Sequence, residues 1–155
     1  MVEEVASRVV NNIVRAYRFA REELGVSIPR ETLLAVLGEA EHIALHELAH
    51  GIVRAIYPEI AGIHHRDPVL GECIDEIYGR MIELYISRRI GAYTHSFEEH
   101  AYELAHYTSL QGLGIRASSL EELYRRVEEL LEEKRLRESI EVVARRCMEW
   151  AGRQR

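Results

Sequence analysis

The sequence predicts an all-α fold of about five helices, packed as one bundle-like domain over residues 1–155 and closed by a long C-terminal helix. Three observations carry that reading. Apolar residues recur three and four positions apart through nearly the whole chain, and no stretch alternates apolar with polar residues as a half-buried strand does. Glycines, prolines and two Ser-x-x-Glu signatures also cut the periodic pattern into segments of helical length.

Val2, Val5, Val9, Ile13, Ala16, Tyr17, Ala20 and Leu24 follow helical spacing, and Gly25 stands where a C-terminal cap belongs. Ser27 and Pro29 mark a new start, and apolar residues from Leu33 to Ile56 carry a long second helix, broken near Gly38 and closed by Pro58. Glu59 to Pro68, with Ala61-Gly62 and Arg66-Asp67-Pro68, reads as a loop. Periodicity returns from Val69 to Ile90 through Ile74, Ile77, Tyr78, Met81, Ile82, Tyr85 and Ile86, and Gly91 ends this third helix. Ser96 with Glu99 forms a capping-box signature for a fourth helix that reaches Leu110 and breaks at Gln111-Gly112-Leu113-Gly114. Ser119 with Glu122 opens the last and longest helix, whose apolar side holds Leu120, Leu123, Val127, Leu130, Ile140, Val143, Cys147 and Trp150. Its phase slips around Lys134 to Arg137, and its Glu/Arg run reads as a solvated outer face.

At 155 residues and 17.9 kDa the chain can bury a core without a metal or disulfide as its only staple, so a bound metal is expected to serve function. The net charge of -6 and pI near 5.8 argue against nucleic-acid partners. The N-terminus lacks the basic start and apolar core of a signal peptide, and no run of about 18 apolar residues occurs, so no membrane span is expected. Cys73 and Cys147 lie far apart and outside any C-x-x-C arrangement, which indicates neither a thiolate zinc site nor a disulfide framework. A reducing cytoplasm is the expected location. Lys134 is the sole lysine among many arginines, a hint of genomic composition or a hot habitat that decides nothing about function.

The most informative residues are His46-Glu47-Leu48-Ala49-His50, an H-E-x-x-H motif inside an apolar helical run. Residues four apart lie one turn above each other, so His46 and His50 can offer their imidazoles to one ion about 2.0 Å away. Glu47, between them, is placed to hold and deprotonate a water at that ion. Surface histidines beside a solvated glutamate are the plain alternative. Ile43, Ala44, Leu45, Leu48, Ala49, Ile52 and Val53 argue against it, because they make the helix apolar around most of its circumference.

Over about residues 43–76 this pattern resembles the zincin metallopeptidases, whose active-site helix carries the same motif. The resemblance implies a zinc-dependent hydrolase acting on peptides, or on another small amide or ester. A catalytic zinc takes three protein ligands, and three sources for the third are visible. In the gluzincin branch it is a glutamate on the next helix, followed about a turn later by an acidic residue that orients a zinc-bound histidine. Glu72-Cys73-Ile74-Asp75-Glu76 looks like that arrangement, with Glu72 as the ligand and Asp75 or Glu76 behind a histidine. His64 or His65 would instead match the third histidine of SprT-like metalloproteases, although the residues after them depart from that pattern. The third source changes the class of protein. Glu47-Leu48-Ala49-His50 and Glu103-Leu104-Ala105-His106 are two E-x-x-H motifs, similar to those of ferritin-like di-iron carboxylate proteins, which would bind two irons for oxidation or storage. Such a site also needs a mid-helix glutamate from two further helices. Glu72, Glu76 or Glu83 could supply one, but the first helix carries Arg8, Asn11, Asn12 and Arg15 in its middle.

Glu39, His42, His46 and His50 share one helix face. His42 reads as a core histidine satisfied by a neighbouring carboxylate or carbonyl, with a substrate-facing role as the alternative. The fourth helix brings His100, Tyr102, Glu103, His106 and Tyr107. By resemblance to the zincins, His106 is the candidate donor to an oxyanion. Cys73 reads as a small buried residue. One departure from the zincins stands out: no strand is predicted for a substrate to lie along. A last alternative is a helical interaction module in which the long C-terminal helix mediates homo-oligomerisation and the metal merely stabilises the bundle.

Overall fold

A computed structural model of the chain describes residues 2–92 and 95–154, and among these it contains eight α-helices and no strand. They are α1 (Val2–Glu22), α2 (Arg30–Val36), α3 (Glu41–Ile56), α4 (Ile60–Arg66), α5 (Pro68–Ile90), α6 (Phe97–Tyr107), α7 (Leu120–Glu133) and α8 (Leu136–Arg153). The all-α class is as expected, but five helices undercount it. The Leu33–Ile56 segment is two helices, separated around Gly38. The expected loop after Pro58 contains α4, because Ile60 and Ile63 turn into the core. The last helix divides where its phase slips: Lys134 and Arg135 adopt extended backbone, which lets α8 start in a new direction.

Helix α5 is apolar on nearly every side, and a helix of that kind has to be surrounded. It packs against α1, α3, α4, α6, α7 and α8, and Ile74, Ile77, Tyr78, Met81, Ile82 and Leu84 are fully buried along it. Asp67 starts it, its carboxylate accepting from the Leu70 amide at 3.2 Å with Pro68 at the first turn, and Gly91 ends it at φ 76°. The expected capping serines act as such, Ser96 accepting from the Glu99 amide and Ser119 from the Glu122 amide. Helix α3 lays Leu45, Leu48, Ala49, Ile52 and Val53 into the same core. The α4–α5 crossing requires a glycine at position 71, since a Cβ there would lie 2.7 Å from both the Cα and the ring of His64. On the far side, the Tyr78 hydroxyl donates to the Leu136 carbonyl at 3.1 Å and lies 2.5 Å from Ser139 Oγ, tying α5 to the start of α8.

The two cysteines correct the sequence reading. Cys73 on α5 and Cys147 on α8 form a disulfide, both fully buried, across a separation of 74 residues. Distance along the chain carried no information here, because the return of α8 onto α5 brings the Cα atoms to 5.8 Å. The pairing removes the argument from unpaired thiols for a reducing compartment. No helix among the described residues is long and apolar enough to cross a membrane. Ile140, Val143, Ala144, Cys147 and Ala151 of α8 are buried within the chain, so the apolar side of this helix is already used.

Two measurements test this packing. The double substitution Cys73→Ala/Cys147→Ala should lower unfolding free energy by up to about 4 kcal/mol, the chain-entropy value for a loop of this length, as read from denaturant melts. Two titratable thiols in the unfolded, unreduced wild-type protein would contradict the pairing. Gly71→Ala should cost about 1–3 kcal/mol through the clash with His64, and a melt identical to wild type would show the crossing to be looser than described.

Candidate metal centre

The helical spacing of His46 and His50 turns both imidazoles of α3 toward α5. Their Nε2 atoms lie 2.9 Å apart with the rings edge to face. Glu76 of α5 closes the group, its Oε1 3.2 Å from His50 Nε2 and its Oε2 3.5 Å from His46 Nε2. Among the described residues this is the one group of three or more His, Cys, Asp or Glu whose ligand atoms all lie within 4.8 Å of one another. Ligand atoms around a tetrahedral zinc are separated by about 3.3 Å, so the three spacings suit such an ion.

Hydrogen bonding on the other ring nitrogens explains the convergence. His50 Nδ1 lies 2.7 Å from Asp75 Oδ1, and His46 Nδ1 lies 3.1 Å from Glu83 Oε2. Carboxylates only accept, so each Nδ1 carries the proton and a neutral imidazole then presents an Nε2 lone pair. Two lone pairs and the Glu76 carboxylate therefore face one point with no hydrogen between them, which is stable only around a cation, either a proton or a metal. The electrostatics agree. Burial opposes protonation of His50, yet Asp75 and Glu76 outweigh it and push its pKa up to about 9. His46 shifts upward for the same reasons, through Glu76 and Glu83. Hydrogen bonds from His46 and His50 hold Glu76 far below the usual carboxylate range. Burial raises Glu83, but His46 and His95 outweigh it and bring it down to about 2.

Each carboxylate behind one of these two histidines has a further partner. Asp75 Oδ2 is 3.3 Å from His64 Nε2 and 4.0 Å from Arg54 Nη2. Glu83 Oε1 is 2.9 Å from His95 Nε2, and Glu83 Oε2 is 3.5 Å from Arg80 Nη1. Gly79 lies opposite His50, where a Cβ would stand in ordinary contact with the ring, 3.4 Å from Nδ1.

His46 and His50 thus occupy the expected places, and Glu47 beside them is exposed. Glu72 does not. It lies one turn before Glu76, at the surface, where it accepts from the Tyr107 hydroxyl at 3.1 Å. Glu76 rather than Glu72 lies level with the histidines. Asp75 takes the orienting role expected of Asp75 or Glu76. His64 backs Asp75 instead of facing the centre, and His65 is exposed. The second E-x-x-H pair contributes no ligand: His106 is exposed and stacks on Tyr102 with ring centroids 5.4 Å apart. His42 is not a core residue; it is exposed, with its ring 5.8 Å from that of His95. Glu83 and His95 were missed in these roles. The signal of Glu83 was present in part, because it lies seven residues after Glu76 and so shares its face of α5.

Helices α3 and α6 flank α5 and leave a hollow of about 810 Å³ lined by His42, Arg80, His95, Glu98, Glu99, Tyr102 and Glu103. At the Glu72 end of α6, burial and then Glu72 push the Tyr107 hydroxyl up to about 12, with Glu103 and Glu76 adding to the effect.

Metal content measured on purified variants separates the ligands from their neighbours. Glu76→Gln should weaken zinc binding by at least about tenfold, whereas Glu72→Gln, His65→Ala and His106→Ala should leave one site of unchanged affinity. The reverse pattern for Glu76 and Glu72 would return the third ligand to Glu72.

Compared with family models, curated proteins and solved structures, the chain matches none.

Proposed function

We propose that the protein is a zinc-dependent hydrolase of peptide or related amide bonds, with His46, His50 and Glu76 as the metal ligands. One observation carries the proposal: two imidazoles, each oriented by a buried carboxylate, converge with a third carboxylate beside a glutamate on the same turn of α3. Two nitrogens and one carboxylate oxygen form a donor set that suits zinc and leaves a coordination position free. When bound, the metal supplies Lewis acidity.

The chain's own residues would do the rest. Glu47 is exposed and stands next in sequence to a ligand, so it can take a proton from the attacking water and return it to the leaving amine. Tyr107 replaces His106 as the candidate donor to a developing oxyanion, because its hydroxyl lies on Glu72, one turn of α5 from Glu76. Among the described residues there is no strand for an extended peptide to pair with, so side chains must hold the substrate. The hollow between α3 and α6, with its carboxylates and Tyr102, is the surface available for that purpose.

Glu47→Gln tests the chemistry, since the amide preserves shape while removing the base. Metal content and thermal stability should stay at wild-type values, while turnover of a mixed peptide library, followed by product mass, should fall by about 10²-fold or more. Unchanged turnover would reject Glu47 as the base. A zinc-loaded wild type inert toward peptides, amides and esters would reject the hydrolase.

A further inference from the structure

Beyond the ligands and their two carboxylates, the most unusual side-chain arrangement in the molecule is centred on His95. It follows the turn that ends α5 and immediately precedes Ser96, the N-cap of α6. Its Nε2 lies 2.9 Å from Oε1 of Glu83, and its Nδ1 lies 2.6 Å from Oε2 of Glu99. Glu83 is completely buried at its side chain, while Glu99 is mostly exposed, so the imidazole bridges an interior carboxylate to a surface one.

Both nitrogens of His95 face acceptor-only groups, and a lone pair on either would be repelled at these distances. The ring therefore carries both protons. The Nε2–H does not point straight at Glu83, so the contact there is an ion pair. The remaining neighbours fit a cation at this position. Glu83 above all, and Glu99 with it, favours the cation against burial and the repulsion of Arg80 of α5. His100 of α6 packs edge-on with centroids 4.9 Å away and is held neutral by burial, at about 4, so it adds no competing charge. His42 of α3 meets the other side of the ring, 5.8 Å away.

We propose that His95 is a positioning residue of the metal centre: as an imidazolium between Glu83 and Glu99, it anchors Glu83 against Nδ1 of His46 and thereby aims Nε2 of His46 at the metal. The proposal rests on the metal-binding reading above. With one oxygen engaged by His95, the Glu83 carboxylate cannot rotate without breaking an ion pair, and its other oxygen stays on His46. His64 holds the corresponding place behind Asp75 and His50, but no second carboxylate engages it among the described residues. The outer anchor is thus a separate device on the His46 arm.

The test compares wild type with His95→Ala and His95→Lys, the lysine keeping a cation for Glu83. His95→Phe, which keeps the ring volume without a charge, stands in should the alanine variant fail to fold. Zinc affinity is read by chelator competition, and the His46 ring tautomer by ¹⁵N spectroscopy of the zinc-loaded protein. The uncharged variants should bind zinc about tenfold more weakly and lose the sharp Nδ1–H signal of His46, and the lysine variant should restore both. Wild-type affinity and an intact Nδ1–H signal in the uncharged variants would overturn the role of His95. So would a lysine variant as weak as alanine, which would reduce the residue to packing. A wild-type protein that takes up no zinc would overturn the metal centre itself, and this proposal with it.

Discussion

Helix α5 carries three carboxylates, Asp75, Glu76 and Glu83, into the most enclosed part of the molecule, and the rest of the structure is constrained by the need to satisfy them. Asp75 and Glu83 are 6% and 1% exposed. A buried carboxylate without partners is strongly unfavourable, and breaking one member of a buried pair costs more than the pair contributes. The partners here are imidazoles one turn apart on α3. In the observed register His46 meets Glu83 and His50 meets Asp75, and a sliding of the two apolar faces would have to break both contacts.

The pairing also gives the site its two-armed form. His50 is backed by Asp75, with His64 and the largely exposed Arg54 behind it; His46 is backed by Glu83, with His95 and Arg80 behind that. Each arm spends an Nδ1 proton on a carboxylate and turns an Nε2 lone pair inward. Glu76 completes a point of negative potential that burial strengthens by lowering the local dielectric. The Arg54 contact, long and close to solvent, adds little to this.

Several features far from any ligand hold these arms in place. The short helix α4 packs on α5, and Gly71 lets the two approach. The Cys73–Cys147 disulfide and the Tyr78 hydroxyl bind the opposite side of α5 to α8, so the site-bearing helix is fixed on both flanks. The stability of the apolar core and the geometry of the polar cluster are one problem, because the same helix carries both.

Local chemistry made much of this legible in the sequence. The helical class, the ends at Gly25 and Gly91, the caps at Ser96 and Ser119, the break near Gly38 and the phase slip near Lys134 all follow from interactions spanning only a few residues. So does the shared face of His46, Glu47 and His50, since spacing within one helix is fixed by its pitch. The carboxylate that joins His46 and His50, the two arms and the disulfide were decided by tertiary structure. The sequence pattern pointed to Glu72, yet Glu76, one turn further on, is the residue that meets α3, and this depends on how α5 is laid against it. His95 and Glu83 are joined through a turn, and Cys73 finds Cys147 across 74 residues. Sequence patterns report the contacts a helix makes with itself, whereas these depend on how one helix is laid against another.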